Sequence, residues 1–174
     1  MFQVQGTVEL KIFCVMALAL AAAPALAFDA KGVKLGDREA DVRRAFPSAH
    51  CKPLEWQSRA ADRRCDDAKV ALANTTVRAT FYIKNDVVQA FDLRFHSRDA
   101  EEVAKLLKSR WGAPLSETKE AQHDKPGRSV YKVLWEAGRD RALLVSQEQS
   151  RRGSVLASRG NFDEEIYKIP PDKR

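Results

Sequence analysis

The residues best equipped for chemistry are the cysteines and histidines, and their spacing points to a crosslink rather than a reaction centre. His50, Cys51 and Cys65 are the three types that could ligate a metal together. Two of them are adjacent, and the paired-ligand spacing of a zinc site is missing. Cys51 beside His50 could suggest an activated thiol, but a thiolate nucleophile must stay reduced. Cys65 offers it a partner instead. The pair is therefore read as the disulfide Cys51–Cys65, with no metal, no cofactor and no catalytic residue assigned.

His96 and His123 are scattered, at a strand end and in a polar stretch, where a solvated imidazole is the common case. Glycine-rich phosphate loops and redox Cys-x-x-Cys pairs do not occur. The chain reads as a non-enzyme, with an enzyme of unrecognised class only the third choice. The one constellation suited to partner contact lies between the cysteines, where Trp56 stands among Arg59, Arg63 and Arg64. Tryptophan and arginine are the types most enriched at binding hot spots. The competing reading has Trp56 folding back under its own loop.

The oxidising compartment follows from the amino terminus. Residues Ile12 to Ala23 form an apolar core, followed by Pro24 and the small-residue pattern Ala25-Leu26-Ala27. This is the layout of a secretory signal peptide, too short and too broken for a membrane span of about 20 residues. Cleavage near Ala27 would start the mature chain near Phe28, without a transmembrane segment, in the periplasm or outside the cell. Two cysteines then remain, and an even count in an exported chain argues for a bridge.

The chain carries a formal net charge of +6 and a pI near 9.3. Removing residues 1–27 takes away Lys11 and Glu9 together, which leaves that charge unchanged. A basic surface suits an anionic envelope component or an acidic protein, while export takes nucleic acid out of the expected partners. Charged residues at 31% and apolar residues at 44% describe a globular chain of one domain. The expected boundaries are a signal at 1–27, one domain at 28–160 and a polar tail at 161–174.

The elements that position these residues follow from periodicity. Between Gly36 and Phe46, acidic residues crowd the start, Arg43 and Arg44 the end, and Val42, Ala45 and Phe46 share one face, so a short helix stopped by Pro47 is predicted. Lys52 to Arg64 has no period and reads as an irregular excursion held by the bridge. A weak strand is expected over Lys69 to Ala73. Alternation of Val77, Ala79, Phe81 and Ile83, resuming in Val87, Phe91, Leu93 and Phe95, predicts a hairpin around Asn85-Asp86. A strict two-residue loop would put Phe91 on the polar face. We therefore expect a three-residue loop, Lys84 to Asp86, pairing Ile83 with Val87 and Ala79 with Phe91, or a bulge nearby.

Asp99-Ala100-Glu101-Glu102 resembles a capping box, and Val103, Leu106, Leu107 and Trp111 follow at helical spacing until Gly112 and Pro114. Ser116 to Arg128 is polar and reads as a mobile loop. Three strands are predicted beyond it, Ser129 to Glu136, Arg141 to Glu148 and Ser154 to Ser158. Trp111 and Trp135 fall on apolar faces and are assigned to the core. From Gly160 the tail has no period and is expected to run along the surface or fray. The fold class is α+β: one antiparallel sheet of about five to six strands, two helices packed on one face, in the order α-βββ-α-βββ, with one disulfide.

With Leu35-Gly36, Val42 and Pro47 in one half and Val103, Gly112 and Pro114 in the other, the layout resembles small exported α+β modules. These are typified by the SmpA/OmlA-type outer-membrane assembly lipoproteins and the β-lactamase inhibitor protein. The resemblance implies a non-catalytic protein-binding role. The expected function is thus an exported, periplasmic binding or envelope-assembly module that holds an unidentified protein or an anionic envelope component on a sheet face or the disulfide loop. The alternative is a secreted inhibitor that inserts Ser116 to Arg128 into an enzyme cleft.

Overall fold

The structure is a computed structural model that describes residues 28–121 and 129–168. The expected signal peptide and residues 122–128, with His123, lie outside the described residues. A small hairpin, β1 (Asp29–Ala30) and β2 (Val33–Lys34), leads into helix α1 (Glu39–Ala45). Four strands follow: β3 (His50–Pro53), β4 (Arg63–Leu72), β5 (Thr75–Lys84) and β6 (Val87–His96). A 3-10 turn, Ser97–Asp99, opens into helix α2 (Ala100–Trp111). Four more strands complete the sheet: β7 (Ser116–Ala121), β8 (Ser129–Ala137), β9 (Asp140–Gln147) and β10 (Arg152–Arg159). A last short helix, α3 (Phe162–Glu165), closes the described chain.

The expected five to six strands become eight in one antiparallel sheet, ordered β3-β4-β5-β6-β10-β9-β8-β7. Each half is a helix followed by a four-strand meander, and the halves join where β6 pairs with β10. The two additional strands are edges. β3 was hidden in the irregular cysteine stretch, and β7 replaces the first part of the loop expected over Ser116 to Arg128. Its sequence, Ser-Glu-Thr-Lys-Glu-Ala, is exposed throughout. Pairing with β8 from Ser116↔Leu134 to Ala121↔Ser129 makes it a strand, and charged side chains are a common protection for such an edge.

Helices α1 and α2 cover one face of the sheet, called here the inner face. Val42 and Phe46 of the first half and Val103, Leu107 and Trp111 of the second join Phe81, Phe91, Leu93, Trp135 and Leu144 in one core. Trp111 is its centre, with ring centroids 5.2 Å from Phe28, 6.2 Å from Phe91 and 5.5 Å from Trp135. The Trp135 indole N–H donates to the Gly112 carbonyl at 3.1 Å, so its single polar atom is satisfied on burial. Both tryptophans are core residues, as the apolar spacing predicts.

The central hairpin turns on the two residues Asn85-Asp86, both left-handed at φ 50° and 66°, so the expected three-residue loop is corrected. The parity problem is solved by the bulge. Ile83 pairs with Val88 but Tyr82 pairs with Ala90, leaving Gln89 as the extra residue. That shift returns Phe91, Leu93 and Phe95 to the inner face, with Ala79 opposite Leu93 rather than Phe91. At α2 the capping box does not form. Asp99 makes no side-chain cap, and its carboxylate accepts from the Thr75 hydroxyl at 2.9 Å instead.

Candidate functional site

Cys51 and Cys65 are directly opposed on β3 and β4, joined by a disulfide with Cα atoms 3.9 Å apart. The bridge therefore staples an edge strand to the sheet, and only residues between the strands form the excursion. The Glu39 carboxylate lies within 4.8 Å of both sulfurs. Both sulfurs are committed to the bridge, and the Glu39 oxygens accept from Arg63 at 2.8 Å and Arg43. The cluster is thus a structural knot between α1 and β4. Arg63 beside Glu39 holds its carboxyl below the usual range.

The four residues read as candidate partner contacts do not converge. Arg63 turns to α1 through Glu39, whereas Arg64, its neighbour on β4, points to the other face and pairs with Asp66 at 3.0 Å and Glu55 at 3.4 Å. Arg59 is exposed, and its backbone N–H donates to the Lys168 carbonyl at 3.2 Å. Trp56 is half-buried; its indole N–H donates to the Ile166 carbonyl at 3.0 Å and its ring stacks with Tyr167 at 6.0 Å. Of the tail expected to run along the surface or fray, residues 161–168 are described, and they pack onto the sheet. Phe162 and Ile166, one helical turn apart, join Ala60, Ala61, Ala90, Trp56, Tyr82 and Leu156 in a second apolar cluster.

That cluster covers one end of the outer sheet face, and the other end stays open. Residues opposite each other in antiparallel strands share a face, which lets the open end be read as two rows. One runs Arg78, Arg94, Ser154, Val145; the next runs His96, Arg152, Gln147, with Thr76 beside His96. Together they line a shallow hollow of about 860 Å³. Arg78, Arg94, His96 and Arg152 are all exposed.

Arg78 and Arg94 face each other directly. Like charges at such positions, with Cβ atoms about 5 Å apart, repel. One acid answers them: Asp92 is 7% exposed and accepts from Arg94 Nε at 2.6 Å. Burial pushes the Asp92 carboxyl above its usual range, and Arg94 is the charge opposing that push. Burial raises the Tyr82 hydroxyl as well, with Asp92 adding to the effect. Among the described residues Arg78 and Arg152 have no acidic partner. Sequence reasoning missed this group because its members are distant in the chain, and only the bulge at Gln89 places them on one face.

His50 lies exposed on edge strand β3 and His96 on β6, three strands away. The disulfide bridges the intervening Cys51, so these groups do not assemble into one site. No helix among the described residues is long and apolar enough to cross a membrane.

No protein-family model and no curated protein matches the chain. Among solved structures, a DUF4309 family protein (YjgB) from Bacillus subtilis subsp. subtilis str. 168 aligns over 77% of this chain and 88% of its own, at 14% identity and a TM-score of 0.39. A likeness that loose transfers neither fold nor function.

Proposed function

We propose that this chain is an exported, non-catalytic binding module that docks a protein or anionic envelope partner on the open end of its outer sheet face. The observation that carries this reading is the asymmetry of the two faces. The inner face is sealed by α1 and α2, and one end of the outer face is sealed by α3 and residues 54–62. Five adjacent strands, β4, β5, β6, β10 and β9, reach the surface at the remaining end. At about 4.8 Å per strand spacing they present a platform roughly 19 Å across. It carries the guanidinium charges of Arg78 and Arg152, which have no acidic partner among the described residues. Charge complementarity of this kind selects and steers an anionic partner.

The test is capture from envelope extracts by the immobilised mature protein and by Ser154→Trp, which fills the hollow between Arg94 and Val145. The reading expects partners retained by the native chain and lost by Ser154→Trp, with unchanged folding by circular dichroism. Equal capture by both proteins would refute docking at this face.

A further inference from the structure

We infer that Arg78, Arg94 and Arg152 form a binding site for a phosphomonoester dianion on the outer sheet face. The inference rests on the docking reading above and names the chemistry of its ligand. Three observations carry it. Arg94 is held from below: Asp92, 7% exposed, accepts a hydrogen bond from its Nε at 2.6 Å, a bond in which the two terminal guanidinium nitrogens take no part. Arg78 stands opposite Arg94 and Arg152 lies on the diagonal from it, beside Ser154 on β10. Opposed positions are about 5 Å apart and diagonals about 7–8 Å, within reach of one tetrahedral group for side chains as long as arginine.

The charge count decides between anions. The Asp92–Arg94 pair is neutral as a unit, so Arg78 and Arg152 leave two positive charges without an acidic partner among the described residues. A carboxylate would neutralise one of them. A phosphomonoester carries about 1.5 to 2 negative charges and three acceptor oxygens at neutral pH, which matches both the charge and the number of guanidinium forks. The lining adds Thr76, His96, Gln147 and Ser150 as further polar groups beside the three guanidinium forks.

Titration of the 15N-labelled mature protein at pH 8 with glycerol 3-phosphate, and separately with acetate, tests this. The expected result is shifts centred on Arg78, Arg94, Arg152 and Ser154, with phosphate ester at least tenfold tighter than acetate. Arg78→Gln and Arg152→Gln should each weaken it about fivefold or more while leaving the remaining spectrum in place. Vesicles containing phosphatidic acid separate the sources: binding lost in the same variants assigns a lipid head group, whereas unbound vesicles with bound glycerol 3-phosphate assign a soluble one. Equal affinity for acetate, or shifts elsewhere, would overturn the site. Failure of phosphate with Ser154-dependent envelope capture intact would refute this inference alone. Capture indifferent to Ser154→Trp, with phosphate bound, would refute partner docking alone.

Discussion

The indole N–H of Trp56 donates to the backbone carbonyl of Ile166 at 3.0 Å, linking residues 110 positions apart. This contact ties the stretch between the cysteines to the carboxy-terminal helix. It assigns Trp56 to packing, since Tyr167 stacks on its ring from the solvent side. Trp56→Ala should therefore destabilise the protein by about 2–3 kcal/mol, below the ~3–5 kcal/mol of a fully buried Trp because the ring is half-exposed. Affinity of the folded protein for its partner should be unchanged. Urea unfolding alongside a binding isotherm checks both, and a variant of native stability with lost binding would return Trp56 to the contact surface.

The bridge acts on an edge strand of four residues, so its removal should be felt locally. Cys51→Ala with Cys65→Ala is expected to cost up to about 3 kcal/mol, the chain-entropy scale for a loop of about 15 residues. Far-ultraviolet dichroism should stay near native, and proteolysis at Arg59 should quicken as β3 loosens. Free thiols detected by alkylation of periplasm-purified protein would contradict the bridge.

Gly153 lies opposite Phe95 on the inner face, and a Cβ built there would overlap the Phe95 ring. Gly153→Ala should destabilise by about 1–3 kcal/mol, the overpacking range. Leu107→Ala, which empties a site 1% exposed between Val103 and Trp111, should cost about 2–5 kcal/mol. Thermal or urea denaturation reads both. A Leu107→Ala loss well under 1 kcal/mol would mean that this helix face does not pack as described.

Glu39 supplies a pH dependence whose sign is fixed by Arg63. Its folded pKa lies below its unfolded value, so its contribution is fully present above the unfolded carboxylate range and is lost as pH falls through the folded pKa. Glu39→Gln should lower stability by about 1 kcal/mol at pH 7, an upper value for a partly exposed ion pair. The gap to the native protein should close as the medium is acidified below the carboxylate range. A gap that persists in acid would show that the loss is one of packing.

What could be read from the chain depended on how each element is stabilised. Strands β5 and β6 and helix α2 carry an apolar side, so their period announced them, and the parity of Phe91 announced an odd residue that was placed in the loop, with a bulge as the alternative, where the structure has the bulge. Strand β7 buries nothing and is held by backbone pairing to β8, which leaves no mark on residue type. In the tail, Phe162 and Ile166 make up a single turn of apolar spacing among acidic residues, too short to register as a period. The cysteines gave the bridge by count and compartment, but their direct opposition emerged only with β3. The arginines of the outer face were invisible as a group until register set Arg78 against Arg94.

The central claim is that a partner covers the open end of the outer face, and arginine footprinting with a dicarbonyl reagent tests it most directly. In the free protein Arg78, Arg94 and Arg152 should react alongside Arg43 and Arg44 of α1, whose side chains are 52% and 78% exposed away from the outer face. With captured envelope partner bound, mass spectrometry should find Arg78, Arg94 and Arg152 protected at least fivefold while Arg43 and Arg44 react as before. Unchanged modification of the three, or protection confined to Arg43 and Arg44, would contradict the account.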